Sequence, residues 1–297
     1  MNKSFQILLS TLLLAVFFAC GQYKTQYEGP YEDPASGGGI KGNPIIYEIL
    51  FVQNGQLQLA SANLRYTKQL NVSGFVTQAS INYAHDRIAY KTASGNISII
   101  DSTGAAIATV PNSSGVIWFD WHPNNQTLYM LQNDQLSLYG PNVALAATNL
   151  AGALPYITDD YGIRTVAVAT DGTVVFGYAI YSFSGTLNGV YVVYPSGVKR
   201  SISTSYYPPI RLRLSADGER AIVTNNVSGG FSKQTGLVYT ATSGSTSFEE
   251  LGDFGLAAIS SPDYRIVLWD ADYPDILQSY GNGLSLDITG TVTDIDW

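Results

Sequence analysis

Short runs of alternating apolar and polar residues follow one another along most of this chain, separated by turn-forming residues. The segments "QLSLYG" (135–140) and "IRLRL" (210–214) have the period of two that is typical of β-strands with one buried face. Other segments, such as "TVVFGYA" (173–179), are almost continuously apolar and indicate strands buried on both faces. No helical periodicity extends over eleven or more residues beyond the N-terminal segment. The pattern therefore predicts an all-β protein.

The same unit of four strands recurs along the chain. A first strand ends in a tight turn, a very apolar second strand and an alternating third strand follow, and the fourth strand is more polar. The turn residue after the first strand recurs at intervals of 38 to 47 residues, at Asp86, Asn124, Asp171, Asp217 and Asp263. Four-stranded repeats with periods of roughly 40–45 residues are typical of β-propeller blades.

The two ends of the repeat region complement each other. Residues 43–61 match the second and third strands of the unit, and "TVTDIDW" (291–297) matches a first strand with nothing after it. Pairing them completes a sixth blade and leaves no open sheet edge. We therefore predict a six-bladed propeller over residues 44–297, closed by its C-terminal strand. Seven blades would require strands within 21–44, whose Gly- and Pro-rich composition argues against them.

Two turn segments carry a resemblance to a known class of propellers. "SPDY" (261–264) and "SADGE" (215–219) resemble the Ser-Pro-Asp-Gly turns of TolB-like and WD-type propellers. In such turns Ser or Asp caps the backbone, and Gly supplies the positive φ angle. The resemblance implies a propeller fold and often a binding or scaffolding role, but no particular chemistry.

The first twenty residues have the plan of a signal peptide. Lys3 precedes an apolar run at 7–18, which is shorter than the ~20 residues that a membrane-spanning helix needs. Ala19-Cys20 resembles the bacterial lipoprotein signal, which implies cleavage before Cys20 and a lipid on its thiol. An ordinary signal peptide with an incidental cysteine is the alternative. We predict a signal peptide over 1–19 and a flexible lipid-anchored tether over 20–43.

Position 21 and the tether indicate the cellular location of the protein. Gly21, rather than Asp, follows the cysteine, and by the sorting rule of Gram-negative lipoproteins this resembles an outer-membrane destination. Acidic residues at 28, 32 and 33 resemble surface-export signals of some Bacteroidetes lipoproteins. The sequence therefore predicts a lipid-anchored protein of the cell envelope, on either the periplasmic or the surface side.

Charge narrows the classes of partner. The net charge is −8 and the pI is about 4.6, which argues against nucleic acid, because such binding depends on Lys and Arg neutralising phosphates. It also argues against docking on anionic lipid through a basic face. Contact with the membrane is therefore expected only through the lipid on Cys20.

Few residues indicate chemistry. Both histidines, His85 and His122, fall in the turn position of the repeat, and we interpret them as turn residues. The sequence contains no metal-ligand spacing of Cys and His and no strand–"GxSxG"–helix arrangement, so we predict no catalytic site and no cofactor. The loop "DADYPD" offers Asp270, Asp272 and Asp275 as Ca²⁺ ligands, but it lacks the EF-hand pattern and is interpreted as a solvated turn.

The longest loops predict a binding face. Loops between the second and third strands are minimal in three blades but longer in the next three, at 180–189, 225–236 and 270–275. The connection between blades at 203–210 is expected on the same face. Exposed aromatic side chains beside Asp or Asn are typical of protein interfaces and of sugar-binding surfaces. The candidate residues are Tyr181, Phe183, Tyr206, Tyr207, Phe231, Asp272 and Tyr273. The alternative is that these aromatic rings only pack between blades.

These features predict a non-enzymatic envelope lipoprotein whose propeller face binds a partner protein, as a scaffold or complex subunit. A glycan- or small-ligand-binding lipoprotein of an uptake system would use the same face and is the first alternative. A polysaccharide-active enzyme is the second. A flat aromatic patch would favour a protein partner, and a groove with paired rings would favour a sugar.

Overall fold

The structure is a computed structural model, and it describes the repeat region with several gaps. The described residues are 45–93, 95–140, 148–149, 161–182, 185–202, 209–215, 217, 219–226, 233–239, 248–252, 254–259, 265–270, 276–280, 284–288 and 291–297. Tyr47–Trp297 form one compact unit. The predicted signal peptide, Cys20 and the tether lie outside the described residues.

The described residues form six four-stranded antiparallel sheets. Blade 1 contains β24 (Val292–Asp296), β1 (Ile49–Gln53), β2 (Gln56–Ala60) and β3 (Thr67–Leu70). Blade 2 contains β4 (Val76–Ile81), β5 (Arg87–Thr92), β6 (Ile97–Asp101) and β7 (Ala106–Thr109). Blade 3 contains β8 (Trp118–Trp121), β9 (Leu128–Gln132), β10 (Gln135–Tyr139) and β11 (Thr148–Asn149).

The other three sheets follow the same order along the chain. Blade 4 contains β12 (Tyr161–Val168), β13 (Val174–Ser182), β14 (Gly185–Val193) and β15 (Lys199–Ile202). Blade 5 contains β16 (Pro209–Leu214), β17 (Arg220–Asn226), β18 (Lys233–Tyr239) and β19 (Phe248–Gly252). Blade 6 contains β20 (Phe254–Ile259), β21 (Ile266–Asp270), β22 (Ile276–Ser279) and β23 (Ser285–Asp287).

The first strand of each blade is the innermost one. β24 contacts β4, β4 contacts β8, β8 contacts β12, and the series continues through β16 and β20 back to β24. This cyclic arrangement of four-stranded sheets is that of a β-propeller. The all-β propeller with four-stranded blades that the sequence predicts is confirmed.

The N-terminal blade takes its innermost strand from the C-terminus. β24 pairs antiparallel with β1, with Leu50 opposite Asp296 and Phe51 opposite Ile295. The backbone N–H of Asn54 also donates a hydrogen bond of 3.0 Å to the carbonyl of Thr291. The last seven residues therefore belong to the same sheet as the first described strand.

The core lies between the blades. In β1, Ile49 and Phe51 join the apolar cluster shared with blade 6, whereas Leu50 and Val52 join the cluster shared with blade 2. Successive side chains of a strand point to opposite faces of the sheet, so a strand between two neighbouring blades is buried on both sides. This explains why the second strand of the repeat is apolar at nearly every position.

Hairpin turns follow the predicted chemistry. The Ser215 hydroxyl donates to Oδ1 of Asp217 at 2.6 Å and accepts the backbone N–H of Arg220 at 3.1 Å. In blade 4, Gly172 has a φ angle of 87°, which an L side chain rarely adopts. Polar side chains and glycine therefore hold the turn between the first and second strands.

Among the described residues, no helix is long and apolar enough to span a membrane.

Candidate functional site

Most residues of the predicted binding face lie outside the described part of the chain. Tyr181 is placed by its backbone near the end of β13, on the face where the innermost strands begin. The prediction of a long loop over 180–189 is wrong, because β13 extends to Ser182 and β14 begins at Gly185, so most of these residues pair as strands. Asp270 is likewise placed by its backbone only, at the end of β21. The candidates outside the described residues are Phe183, Tyr206, Tyr207, Phe231, Asp272, Tyr273 and Asp275. For all of these side chains, the binding and metal-ligand assignments remain predictions.

The innermost strands place charged side chains at the centre of the ring. We call the set Asp120, Arg211, Arg213, Asp294 and Asp296 the axial cluster. The guanidinium of Arg213 in blade 5 contacts a carboxylate oxygen of Asp120 in blade 3 at 3.0 Å and one of Asp296 in blade 1 at 3.1 Å. Neither blade 1 nor blade 3 is adjacent to blade 5, so these contacts cross the ring.

Backbone N–H groups also donate hydrogen bonds to the two aspartates of β24. Oδ2 of Asp294 accepts the N–H of Ala79 at 2.9 Å, and Oδ2 of Asp296 accepts the N–H of Ile81 at 2.9 Å. Arg211 donates to Oδ1 of Asp294 as well. The two aspartates lie two residues apart and therefore on one side of β24, facing β4 and the axis. They connect β24 to blade 2 and blade 5.

Tryptophan and tyrosine rings surround the arginines. The guanidinium of Arg213 lies 4.8 Å from the ring centre of Trp118, whose indole N–H donates to the carbonyl of Val166 at 2.9 Å. The Tyr83 hydroxyl donates to the carbonyl of Leu214 at 2.9 Å, from blade 2 to blade 5. A space of about 10 Å³, the size of one water molecule, remains among Tyr83, Asp120, Arg213 and Asp296. Among the described residues, the axial cluster therefore encloses space for about one water molecule at this point.

Burial governs the ionisation of this cluster. Burial raises the pKa of Asp296 to about 7, and the guanidinium of Arg213 opposes this shift. Burial alone would lower the pKa of Arg213, but the carboxylates of Asp120 and Asp296 raise it above its ordinary value. Burial also raises the pKa of the Tyr83 hydroxyl. Arg213 is therefore charged and Tyr83 neutral at physiological pH, and Asp296 binds a proton more easily than an ordinary aspartate.

Asp296 should make stability depend on pH. Its native pKa of about 7 lies above the unfolded value of about 3.9, so between these values the native state binds more protons than the unfolded state. The free energy of unfolding contributed by Asp296 is therefore expected to fall as pH rises from about 4 to about 7, and then to stay level. Urea unfolding of the wild type and of Asp296→Asn across this window measures it. A difference between the two chains that does not change with pH would contradict the assignment.

A larger cavity opens where the innermost strands begin. Its volume is about 360 Å³, and we call it the mouth cavity. Among the described residues it is lined by Thr77, Gln78, Lys91, Val116, Ile117, Trp118 and Arg211. The Nζ of Lys91 donates to the carbonyls of Ser114 and Val116, which fixes this ammonium beside the segment that leads into β8. Burial lowers the pKa of Lys91.

Exposed apolar side chains lie on the same face. Phe75 directly precedes β4 and is 58% exposed, and Ile117 directly precedes β8 and is 52% exposed. They occupy corresponding positions in two adjacent blades. The face where the innermost strands begin therefore presents apolar residues and a polar cavity together, as protein interfaces do.

Both histidines occupy turns, as the sequence predicts. His85 has a φ angle of 56° in the turn after β4, and its backbone N–H donates to the carbonyl of Asn82 at 2.8 Å. Nδ1 of His122 accepts the backbone N–H of Asn124 at 3.1 Å, and burial lowers the pKa of this imidazole to about 4. Within the described ranges, no group of three His, Cys, Asp or Glu residues is arranged to hold a metal ion.

Sequence reasoning missed the axial cluster and the mouth cavity. The signal was present as charged residues inside otherwise apolar inner strands: aspartates in "WFDW" and "VTDIDW", and two arginines in "IRLRL". A charge at such a position is almost never buried without a partner. Which carboxylate meets which arginine depends on how the blades pack around the axis and is not encoded by local spacing.

Comparisons with known proteins identify only the fold. No protein-family model matches the sequence, and no curated protein matches it. Among solved structures, a chain of a nidogen/laminin complex aligns with a TM-score of 0.56 and 11% identity, covering 84% of this chain and 97% of that one. The β-propeller domain of Cps50 (Swd1) from Myceliophteria thermophila aligns with a TM-score of 0.51 and 14% identity, covering 82% of this chain and 84% of that one.

A third solved structure also aligns over most of the chain at low sequence identity. Hydrazine synthase from Kuenenia stuttgartiensis aligns with a TM-score of 0.50 and 14% identity, covering 82% of this chain and 79% of that one. Identities this low carry fold and not function. The described strands and these alignments together show that the chain has a β-propeller fold.

Proposed function

We propose that this chain is a non-enzymatic envelope lipoprotein whose six-bladed propeller, closed by β24, binds a partner protein on the face where its innermost strands begin. The observation that carries the proposal is the pairing, on that face, of the mouth cavity with the exposed side chains of Phe75 and Ile117. Tyr181, one of the predicted binding residues, lies by its backbone near the end of β13 on the same face. A similar fold in a nidogen/laminin complex is consistent with a role in protein assembly.

The axial cluster supports a scaffolding role rather than catalysis. The carboxylates of Asp120, Asp294 and Asp296 form ion pairs with Arg213 or Arg211, and those of Asp294 and Asp296 also accept hydrogen bonds from backbone N–H groups. A general acid or base must reach a substrate proton, and these groups instead hold the blades together. A rigid centre with variable loops at one face is the arrangement by which propellers and other scaffolds present binding residues.

Site-specific photocrosslinking tests the proposed face. A photoreactive amino acid at position 75 or 117 in the native host should capture one abundant envelope protein, because both side chains are exposed on the proposed face. Ile107 on β7 and Val198 between β14 and β15 are exposed to a similar degree, at 50% and 54%, and serve as matched control positions. The same product from all four positions, or no product from 75 and 117, would contradict the proposal.

The anchor is tested separately. Cys20→Ser should abolish the incorporation of labelled palmitate and release the protein from the outer-membrane fraction, since lipid on this thiol is the proposed attachment. Retention of the label would show that the lipid is attached elsewhere.

Glycan binding is the second candidate. The mouth cavity lies at the lower end of the range of about 300–1,000 Å³ that small-ligand sites occupy, and Trp118 lines it. A polysaccharide-active enzyme is the third candidate. Thermal shift with a glycan panel distinguishes sugar binding from protein binding if crosslinking at positions 75 and 117 captures no protein.

A further inference from the structure

We propose that the mouth cavity binds a carboxylate group from an acidic segment of the partner protein, an inference that rests on the proposed partner-binding function. The first observation is the charge of the lining. Lys91 and Arg211 both line the cavity, and no carboxylate does so among the residues the structure describes. The whole chain carries a net charge of −8, so a cavity lined by two cations is a local exception on an acidic protein.

The two cations keep donors for a ligand. The guanidinium of Arg211 donates to Asp294 and to the carbonyl of Thr293, but a guanidinium has five N–H groups. The Lys91 ammonium donates to two backbone carbonyls and has three N–H groups. Both side chains are therefore held in place by the fold and still have N–H groups for a further acceptor. Fixed donors of this kind bind a carboxylate without the entropic cost of ordering long side chains.

The carboxylate of Asp294 does not cancel this charge at the cavity. Asp294 is 1% exposed and does not line the cavity, whereas the side chain of Arg211 is 19% exposed and lines it. Arg213 lies 3.6 Å from the same carboxylate and balances it from the axis side. An incoming anion therefore meets the cations first, and burial strengthens its attraction to them.

The polar and apolar surroundings favour a peptide over a free ion. Gln78 and Thr77 line the cavity with amide and hydroxyl groups, and Ile117 adds an exposed apolar side chain at its edge. A carboxylate needs only the cations and polar groups, whereas the apolar edge can contact a residue next to it in a chain. The matching ligand is thus an Asp or Glu residue, or a C-terminal carboxylate, with an apolar neighbour.

Selection from a phage-displayed library of random peptides on the full chain, purified in detergent, tests the inference. Recovered peptides should share one acidic position beside an apolar residue. For a synthetic peptide of that sequence, affinity should fall by about tenfold or more when its Glu is changed to Gln, and should weaken as salt is added. The protein variant Ile117→Glu, which places a like charge at the cavity edge, should reduce affinity at least as strongly.

A matched variant separates local repulsion from a general effect of added charge. Ile107→Glu introduces the same charge at a side chain of equal exposure on β7, and it should bind the peptide like the wild type. Thermal melts of both variants check that they fold. Equal losses in the two variants, or recovered peptides without acidic enrichment, would overturn the inference.

A second arm distinguishes the source of the carboxylate. Succinate titrated alone should bind far more weakly than the peptide, because it lacks the apolar neighbour. Binding of succinate as tight as that of the peptide would assign the cavity to a free small acid and overturn the partner segment. Capture of a partner at positions 75 and 117 that shows no dependence on an acidic residue would leave the proposed function standing and reject this inference alone.

Discussion

A chain that ends at residue 290 is expected to lose its cooperative unfolding transition and to aggregate. The deletion removes β24, which pairs with β1, and it exposes the edge of blade 1. It also removes Ile295 and Trp297 from the apolar cluster between blades 1 and 6. The expected loss exceeds the total stability of an ordinary domain, about 5–15 kcal/mol, and calorimetry of the purified chains measures it.

A rearranged chain is the control for this deletion. The indole N–H of Trp297 donates to Glu48 at 3.3 Å, so the end of β24 lies beside the start of β1. Residues 291–297 placed directly before residue 45 through a short linker should therefore form the same pair of strands. The rearranged chain is expected to melt cooperatively, as the intact one does. Equal melting of the truncated and intact chains would show that β24 does not close the ring.

Replacement of Arg213 by Met is expected to cost about 3–5 kcal/mol in free energy of unfolding. Arg213 is 4% exposed, and it neutralises Asp120 and Asp296 across the axis. Without it, these carboxylates remain buried with only backbone and hydroxyl donors, which do not replace a positive charge. Urea unfolding at neutral pH measures the loss.

Two further variants show whether charge or packing is responsible. Arg164→Met changes an exposed arginine on the innermost strand of blade 4 and should alter stability by less than about 0.5 kcal/mol. Asp120→Asn together with Asp296→Asn in the Arg213→Met background should restore much of the loss, because no unpaired charge remains. If the restored chain is no more stable than Arg213→Met, the cost arises from lost packing against Trp118.

The repeat could be predicted from the sequence because burial and turn geometry place the same local constraints on every blade. A second strand buried on both faces must be apolar throughout, as in "ILFVQ" of β1, and a hairpin turn needs a residue such as Ser215 or Gly172. These constraints act over a few residues, so a single sequence displays them. The four-strand order of the repeat followed from them directly.

The sequence predicted less of the candidate site than of the fold. Loop length and aromatic content predicted a binding face, and for the side chains involved this stays a prediction. The backbone of Tyr181 lies on the face that holds the mouth cavity. Lys91 and Arg211 were not predicted to be part of it. They come from blades 2 and 5, and 120 residues of sequence separate them, so no local pattern relates one to the other.

The sequence by itself determined the four-strand repeat, its turns and the strand character of "TVTDIDW", since these depend on period and on neighbouring residues. Only the tertiary structure decided which charged residues of the inner strands pair with one another. Asp120, Asp296 and Arg213 occupy three different blades, and they meet only because the ring brings their strands to one axis. Burial at that axis excludes water and requires each charge to find a partner, so the pairing is a property of several blades together and not of any single blade.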